Sequence, residues 1–279
     1  MSGVEHPSGK GRGDENFPVG SWLIRRPLRP HVHAFYRFAR AADDVADAPD
    51  LAPEEKLRRL DRMAAALDGT GAADAPAAAA MRVSLAATGV DAAHCHELLT
   101  AFRQDATKNR YADWDELMGY CRLSAAPVGR YLLDLHGESR DTWPASDALC
   151  AALQVINHLQ DCAEDYQRLD RVYIPLSMLA AEGLNVAVLG TPFVSPAFRL
   201  VLDAALARTR PLVERARALP GAVHSPGLRR EAAVIVALAD RLVGLLARRD
   251  PLAERVKLGR WGVAKAAFAG LFAGLDRAA

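Results

Sequence analysis

Acidic side chains at helical spacing inside apolar helix constrain this chain most. Residues Asn157 to Pro175 read N-H-L-Q-D-C-A-E-D-Y-Q-R-L-D-R-V-Y-I-P, with no Gly or Pro between Ser146 and Tyr173. Asn157, Asp161 and Asp165 recur every four residues and share one helix face, with Glu164 beside them. Like charges at that spacing cost a helix about 0.2–0.5 kcal/mol per pair. A solvated face absorbs such a cost, and acid-rich solvated faces are common. The preceding run from Ala148 to Ile156 is nearly all apolar, however, so a buried segment is expected. A buried carboxylate needs a cation or gives up its charge. No Lys or Arg close in sequence fits, because Arg168 and Arg171 come one to two turns later. A hard divalent cation such as Mg²⁺ answers the need, because it takes carboxylate oxygens and leaves positions for phosphates.

A second stretch, Tyr36 to Asp47, carries Asp43-Asp44-Val45-Ala46-Asp47. Asp43 and Asp47 are again four apart, and Tyr36 and Arg40 continue their face toward the N-terminus. Two such motifs facing each other across a helical bundle would hold roughly two or three Mg²⁺ ions around a diphosphate. No period-two alternation bounded by turns occurs anywhere, and Ala, Leu and Arg dominate. The expected fold class is therefore all-α.

DDxxD, then N-x-x-x-D-x-x-E-D running into R-V-Y-I-P, resembles the squalene/phytoene synthase family of head-to-head prenyl synthases. Glu15 to Val19, Tyr120 to Arg130 and the full stretch from Asn157 to Pro175 look most like its bacterial hydroxysqualene-forming branch, which serves hopanoid synthesis. The likeness is good over residues 14–175 and weaker beyond Ala180. It implies a single isoprenoid-synthase domain over 15–279, a helical bundle around a deep apolar cavity, after a disordered tail of residues 1–14. It implies Mg²⁺ on Asp43, Asp44, Asp47, Asn157, Asp161 and Asp165. By the same likeness Asn16 to Ser21 line the diphosphate pocket, unless they form a surface strap. Tyr120 matches a tyrosine proposed to assist ionisation, and a core tyrosine is the alternative. Tyr36, Arg40, Arg171, Tyr173, Gln154 and Lys257 complete the candidate substrate contacts. The implied substrate is presqualene diphosphate, ionised and captured by one water. The rivals are a squalene or phytoene synthase condensing two prenyl diphosphates such as farnesyl diphosphate, and a non-catalytic helical relative. Two departures stand out: Gln160 occupies a position where many relatives carry Arg, and no tyrosine follows Tyr173.

Net charge is +1 over 279 residues, which argues against a nucleic-acid partner. Cys95, Cys121, Cys150 and Cys162 stand singly, as reduced thiols of a cytoplasmic protein do. His94-Cys95-His96 is no metal site by spacing, since neighbours on a helix point about 100° apart. Helices are expected over 31–48, 53–68, 81–88, 91–107, 114–135 (with a kink or unwound turn at Pro127), 192–217 and 228–249. Pro30 closes an irregular lead-in, and residues 72–80 form an Ala-rich linker. A last helix is expected to start at Asp250-Pro251. Its face of Lys257, Trp261, Lys265, Phe268 and Phe272 suits either a diphosphate or peripheral membrane contact. Hand-off to other hopanoid-pathway enzymes would follow from lipid substrate and product.

Overall fold

A computed structural model describes residues 4–5, 23–71 and 74–259. Twelve α-helices run through them: α1 (Arg29–Asp47), α2 (Pro53–Asp68), α3 (Pro76–Thr88), α4 (Ala93–Asp105), α5 (Trp114–Ser124), α6 (Ala126–Leu135), α7 (Trp143–Gln160), α8 (Cys162–Leu169), α9 (Leu176–Ala181), α10 (Pro196–Ala216), α11 (Leu219–Ala222) and α12 (Pro226–Leu246). Among the described residues there is no strand, only an isolated bridge between Arg110 and Val172. The all-α expectation holds. The described residues gather into two compact units. The first takes the chain to Lys108 with Pro127–Arg140, the second Asn109–Ala126 with the remainder from Asp141.

In the first unit, helices begin where the chain supplies prolines. Pro30, Pro53 and Pro76 each stand in a first turn, where the missing N–H costs nothing. Pro30 thus starts α1 rather than ending the lead-in, and α3 takes in the end of the expected Ala-rich linker. Gly69 and Gly89 close α2 and α3 with φ of 77° and 70°, the left-handed cap that glycine adopts freely. The core gathers Phe38, Val45, Leu60, Met63, Met81 and Leu99, all fully buried. Tyr131 of α6 stacks on Phe35 at 4.0 Å and donates its hydroxyl to the His31 carbonyl at 3.1 Å. Within the tail expected to be disordered, Val4 is fully buried and Glu5 accepts from the Ala77 amide at 2.6 Å. His94 and His96 pair with different acids, Asp134 and Asp68, each at 2.9 Å, so they share no metal.

In the second unit α7 packs against α10 and α12. Ala152, Val155, Ile156 and Leu159 of α7, Phe198, Val201 and Leu206 of α10, and Ala239 and Leu242 of α12 are buried. Two expected helices prove to be interrupted. The run 114–135 is broken at Ala125 (φ −119°), so α5 ends and α6 restarts with Pro127 in its first turn. Pro127 removes a donor and clashes with the preceding turn, and the result is the unwound turn that the sequence allowed, one residue wide, with the Ala125 amide still donating to the Cys121 carbonyl at 3.0 Å. The run through Asn157 and Asp165 is broken at Asp161, whose φ of −106° and ψ of 9° leave the helical region. No described helix is long and apolar enough to cross a membrane. Asn16, Ser21, Trp261, Lys265, Phe268 and Phe272, and with them the membrane face, lie outside the described residues.

Candidate active site

The first acidic group belongs to α1. Tyr36, Arg40, Asp43, Asp44 and Asp47 are all half-buried, as the helical spacing requires. Arg40 reaches both acids next to it, with its guanidinium 3.2 Å from Asp43 and 3.1 Å from Asp44. That one cation does not balance the group. Burial, then Asp47, push the Asp43 carboxyl well above the ordinary 3.8, with Asp105 and Asp44 adding to the rise and Arg40 opposing it. Asp105, on α4 and only 6% exposed, was not foreseen. It lies more than fifty residues from Asp47 in a motif of its own type, and nothing in its spacing links the two.

The second acidic group spans the end of α7 and the start of α8. The interruption at Asp161 is flanked by one backbone bond on each side. The Asp161 amide donates to the Asn157 carbonyl at 2.9 Å, and the Asp165 amide donates to the Asp161 carbonyl at 2.8 Å. Asn157, Asp161 and Asp165 therefore remain stacked on one face, each half-buried, with Glu164 exposed. The sequence speaks only to basic residues close in the chain, and a distant one reaches this group. Arg255, ninety-four residues after Asp161, stands with Nε 3.9 Å from Oδ1 of Asp161. Among the described residues no three His, Cys, Asp or Glu side chains converge into a ready-made metal cage. The acids of each group are instead held apart by their helical rise.

Beyond α8 the chain turns back at Asp170, which takes a left-handed conformation (φ 50°) and is held there by Arg110, on both its carbonyl and its carboxylate. Segment 171–175 then runs beside 109–112. The Val172 amide donates to the Asn109 carbonyl at 2.8 Å and the Leu176 amide to the Tyr111 carbonyl at 2.9 Å. This brings four rings together in the second unit. Tyr173 lies 5.6 Å from Tyr111 and 5.4 Å from Tyr120, and it stacks on His158 at 3.6 Å with 14° between planes. Tyr120 is 4% exposed, Tyr173 is 8% and Arg171 is 6%. His158 is packed as its position off the acidic face predicts. Burial and then the Arg171 charge push it down to about 3, so it is a neutral imidazole. One ring nitrogen, Nε2, is buried without a hydrogen-bond partner. Gln154 is half-buried on α7, one turn before Asn157 and His158.

Gln160, at the end of α7, is 4% exposed and donates its side-chain amide to the Val256 carbonyl at 2.5 Å. Lys257, next to it, is exposed and is not on a helix, which corrects the expected wheel. Asp250 does cap a turn, accepting from the Leu252 and Ala253 amides at 2.9 and 3.0 Å. After that single turn the chain leaves helical geometry.

The frame is all-α, with aspartate pairs one helical turn apart in each unit and a buried aromatic cluster in the second. The squalene/phytoene synthase family model matches residues 10–262, and the chain belongs to that family. It is 50% identical over 257 residues to the hydroxysqualene synthase of Rhodopseudomonas palustris, covering 92% of this chain and 88% of that one. It is 49% identical over 245 residues to the hydroxysqualene synthase of Sinorhizobium fredii, covering 88% and 84%. The crystal structure of squalene synthase HpnC from Alicyclobacillus acidocaldarius superposes with a TM-score of 0.74 at 30% identity, covering 85% and 90%.

Proposed function

We propose that this chain is a hydroxysqualene synthase, a carbon–oxygen lyase that converts presqualene diphosphate and one water into hydroxysqualene and diphosphate. The observation that carries the reading is the 50% identity to the Rhodopseudomonas palustris hydroxysqualene synthase over nearly the whole of both chains.

Mg²⁺ is the proposed metal, held by Asp43, Asp44 and Asp47 and by Asn157, Asp161 and Asp165. The donors suit it: they are hard oxygens, and the raised Asp43 carboxyl marks a local deficit of positive charge that Arg40 does not fill. When bound, Mg²⁺ would neutralise and polarise diphosphate oxygens. Arg40 and Arg171 are the proposed charge-assisted partners of those oxygens, with Tyr36 and Lys257 as further proposed contacts. Tyr120, Tyr173 and His158 present ring faces that stabilise positive charge and keep stray water from the cation. The C–O bond breaks with its electron pair leaving on diphosphate. The rearranged cation takes the oxygen of one water, and that water's second proton leaves. A single water needs polar partners in a dry site, and Tyr120, Gln154 and Asn157 are the residues proposed to supply them. No hydride enters this balance, so no nicotinamide is required.

Purified protein supplied with Mg²⁺ and presqualene diphosphate is expected to yield hydroxysqualene by mass spectrometry. Farnesyl diphosphate alone is expected to remain largely unconsumed. Efficient conversion of farnesyl diphosphate alone would instead favour a complete squalene or phytoene synthase. The lipid product also implies release at a membrane or direct hand-off to the next enzyme.

A further inference from the structure

His158 is held by the faces of its ring and has one nitrogen left over. It sits on α7 and is 7% exposed, and its Nε2 is wholly buried with no hydrogen-bond partner among the described residues. Tyr173 stacks on the ring at 3.6 Å with 14° between planes, and Tyr120 lies 6.0 Å away, tilted by 40°. Whatever Nε2 carries, lone pair or hydrogen, lies in the ring plane and across the stacking direction, so the stack does not satisfy it. A buried polar atom left unpaired is costly, and native proteins keep such atoms where a ligand or a water takes them up. A ring needed only for packing on Tyr173 would carry no such atom.

The proposed reaction needs an acceptor of this kind. A water that captures a cation forms the new bond with a lone pair, so it is aimed by groups that hold its hydrogens. Asn157 precedes His158 in the chain. With its side-chain oxygen on a metal it has only N–H hydrogens to offer, so it can steady the water through oxygen but cannot take a hydrogen from it. We propose that His158, with its own hydrogen on Nδ1, accepts one hydrogen of the attacking water at Nε2 and thereby selects alcohol over hydrocarbon. The proposal rests on the function proposed above and deepens it. In the balance, the water's lone pair forms the C–O bond, one hydrogen stays on oxygen against Nε2, and the other passes as a proton to the released diphosphate. The imidazole is neutral before and after, so the step uses its lone pair and not its titration. A cation that meets no held water loses a proton from a neighbouring carbon and becomes a hydrocarbon, that proton again going to diphosphate.

The test is the product ratio that the full-length protein gives from presqualene diphosphate and Mg²⁺ without NADPH, read by mass spectrometry. Both products come from one cation, so their ratio reports the capture step and does not depend on how much protein is folded or how fast it ionises substrate. His158→Phe keeps a ring to stack on Tyr173 and removes Nε2. It is expected to lower the ratio of hydroxysqualene to hydrocarbon about tenfold, the order for one hydrogen bond in the capturing transition state. His158→Gln gives up the ring but keeps an acceptor oxygen near the place of Nε2, and is expected to recover most of the ratio. A purely packing role predicts the reverse order, with His158→Phe close to wild type and His158→Gln impaired. A wild-type ratio in His158→Phe, or a ratio in His158→Gln no better than in His158→Phe, would overturn the assignment. Should either variant fail to turn over, Nτ-methylhistidine at position 158, which keeps the ring and blocks Nε2 alone, carries the test, and an unchanged ratio there overturns the assignment. Wild-type protein that yields no hydroxysqualene would overturn the proposed function itself. Wild-type protein that yields it, with the ratio fixed across the variants, would overturn only the part given to His158.

Discussion

Replacing Asp43 by Asn is expected to stabilise the metal-free protein and to abolish its response to ligand. Asp43 faces Asp47 one turn away, with Asp105 and Asp44 nearby and only Arg40 in opposition. One like-charge pair at this spacing costs about 0.2–0.5 kcal/mol. Burial adds to that, but the side chain is still 35% exposed, so solvent screens much of the penalty. A gain of about 0.5–1 kcal/mol for Asp43→Asn is reasonable, or roughly 1–4 °C in Tm for a chain of this size. The sign follows from linkage. A carboxyl whose folded-state value is raised above 3.8 costs nothing while protonated in both states, costs progressively more as pH rises above 3.8, and reaches its full cost once pH exceeds the raised value. The variant's advantage should therefore be present at pH 8 in EDTA and vanish near pH 4. With Mg²⁺ and diphosphate at about a hundred times Kd, the wild type gains about 2.7 kcal/mol, which exceeds the variant's advantage and reverses the order of melting. Scanning calorimetry with and without ligand reads both effects. A variant that melts below wild type in EDTA at pH 8, or that gains equally from ligand, would refute the reasoning.

Asp161→Ala should lower turnover by at least about a hundredfold with helical content unchanged by circular dichroism; near-wild-type turnover would remove Asp161 from the site. His158→Phe keeps the stack on Tyr173 and removes the nitrogens. Because His158 is pushed from 6.5 down to about 3, its contribution is intact above pH 6.5 and lost as pH falls below it, by about 2 kcal/mol at pH 5. Metal-free His158→Phe should lack that acid sensitivity, and an unchanged melting-versus-pH curve would count against a neutral buried imidazole. Deleting residues 260–279, which hold Trp261, Phe268, Phe272 and Lys265, should weaken salt-sensitive binding to anionic vesicles; equal binding by the folded truncation would dismiss a membrane role for that segment.

Helices announced by local chemistry were legible from the chain. α2 runs from Pro53 to Asp68 as proline at its start and Gly69 after its end require, and Asp113 caps α5 by accepting from the Glu116 amide at 2.9 Å. The spacing of both acidic groups was legible because a period of four survives even an interrupted helix, with Asp161 bonded through its backbone to Asn157 on one side and to Asp165 on the other. The interruption itself was not legible, since neither Gly nor Pro marks it. Residues 250–259 misled for a related reason. Asp250-Pro251 is good helix-start chemistry and does cap a turn, but Val256 and Leu258 alternate with cations, and Gln160 claims the Val256 carbonyl that a helix would use. Arg255 beside Asp161 and Asp105 beside Asp43 are tertiary facts, brought about by packing between segments far apart in sequence. The division into two compact units also left no mark on composition, because α6 changes unit within a single first turn at Pro127.

The central claim is that a cation made from presqualene diphosphate is captured by water. It is tested most directly by turnover in isotope-labelled water with Mg²⁺, first without and then with NADPH. The account predicts hydroxysqualene carrying one labelled oxygen under both conditions, with NADPH changing neither yield nor product. Squalene as the main product once NADPH is added, or hydroxysqualene without label, would contradict it.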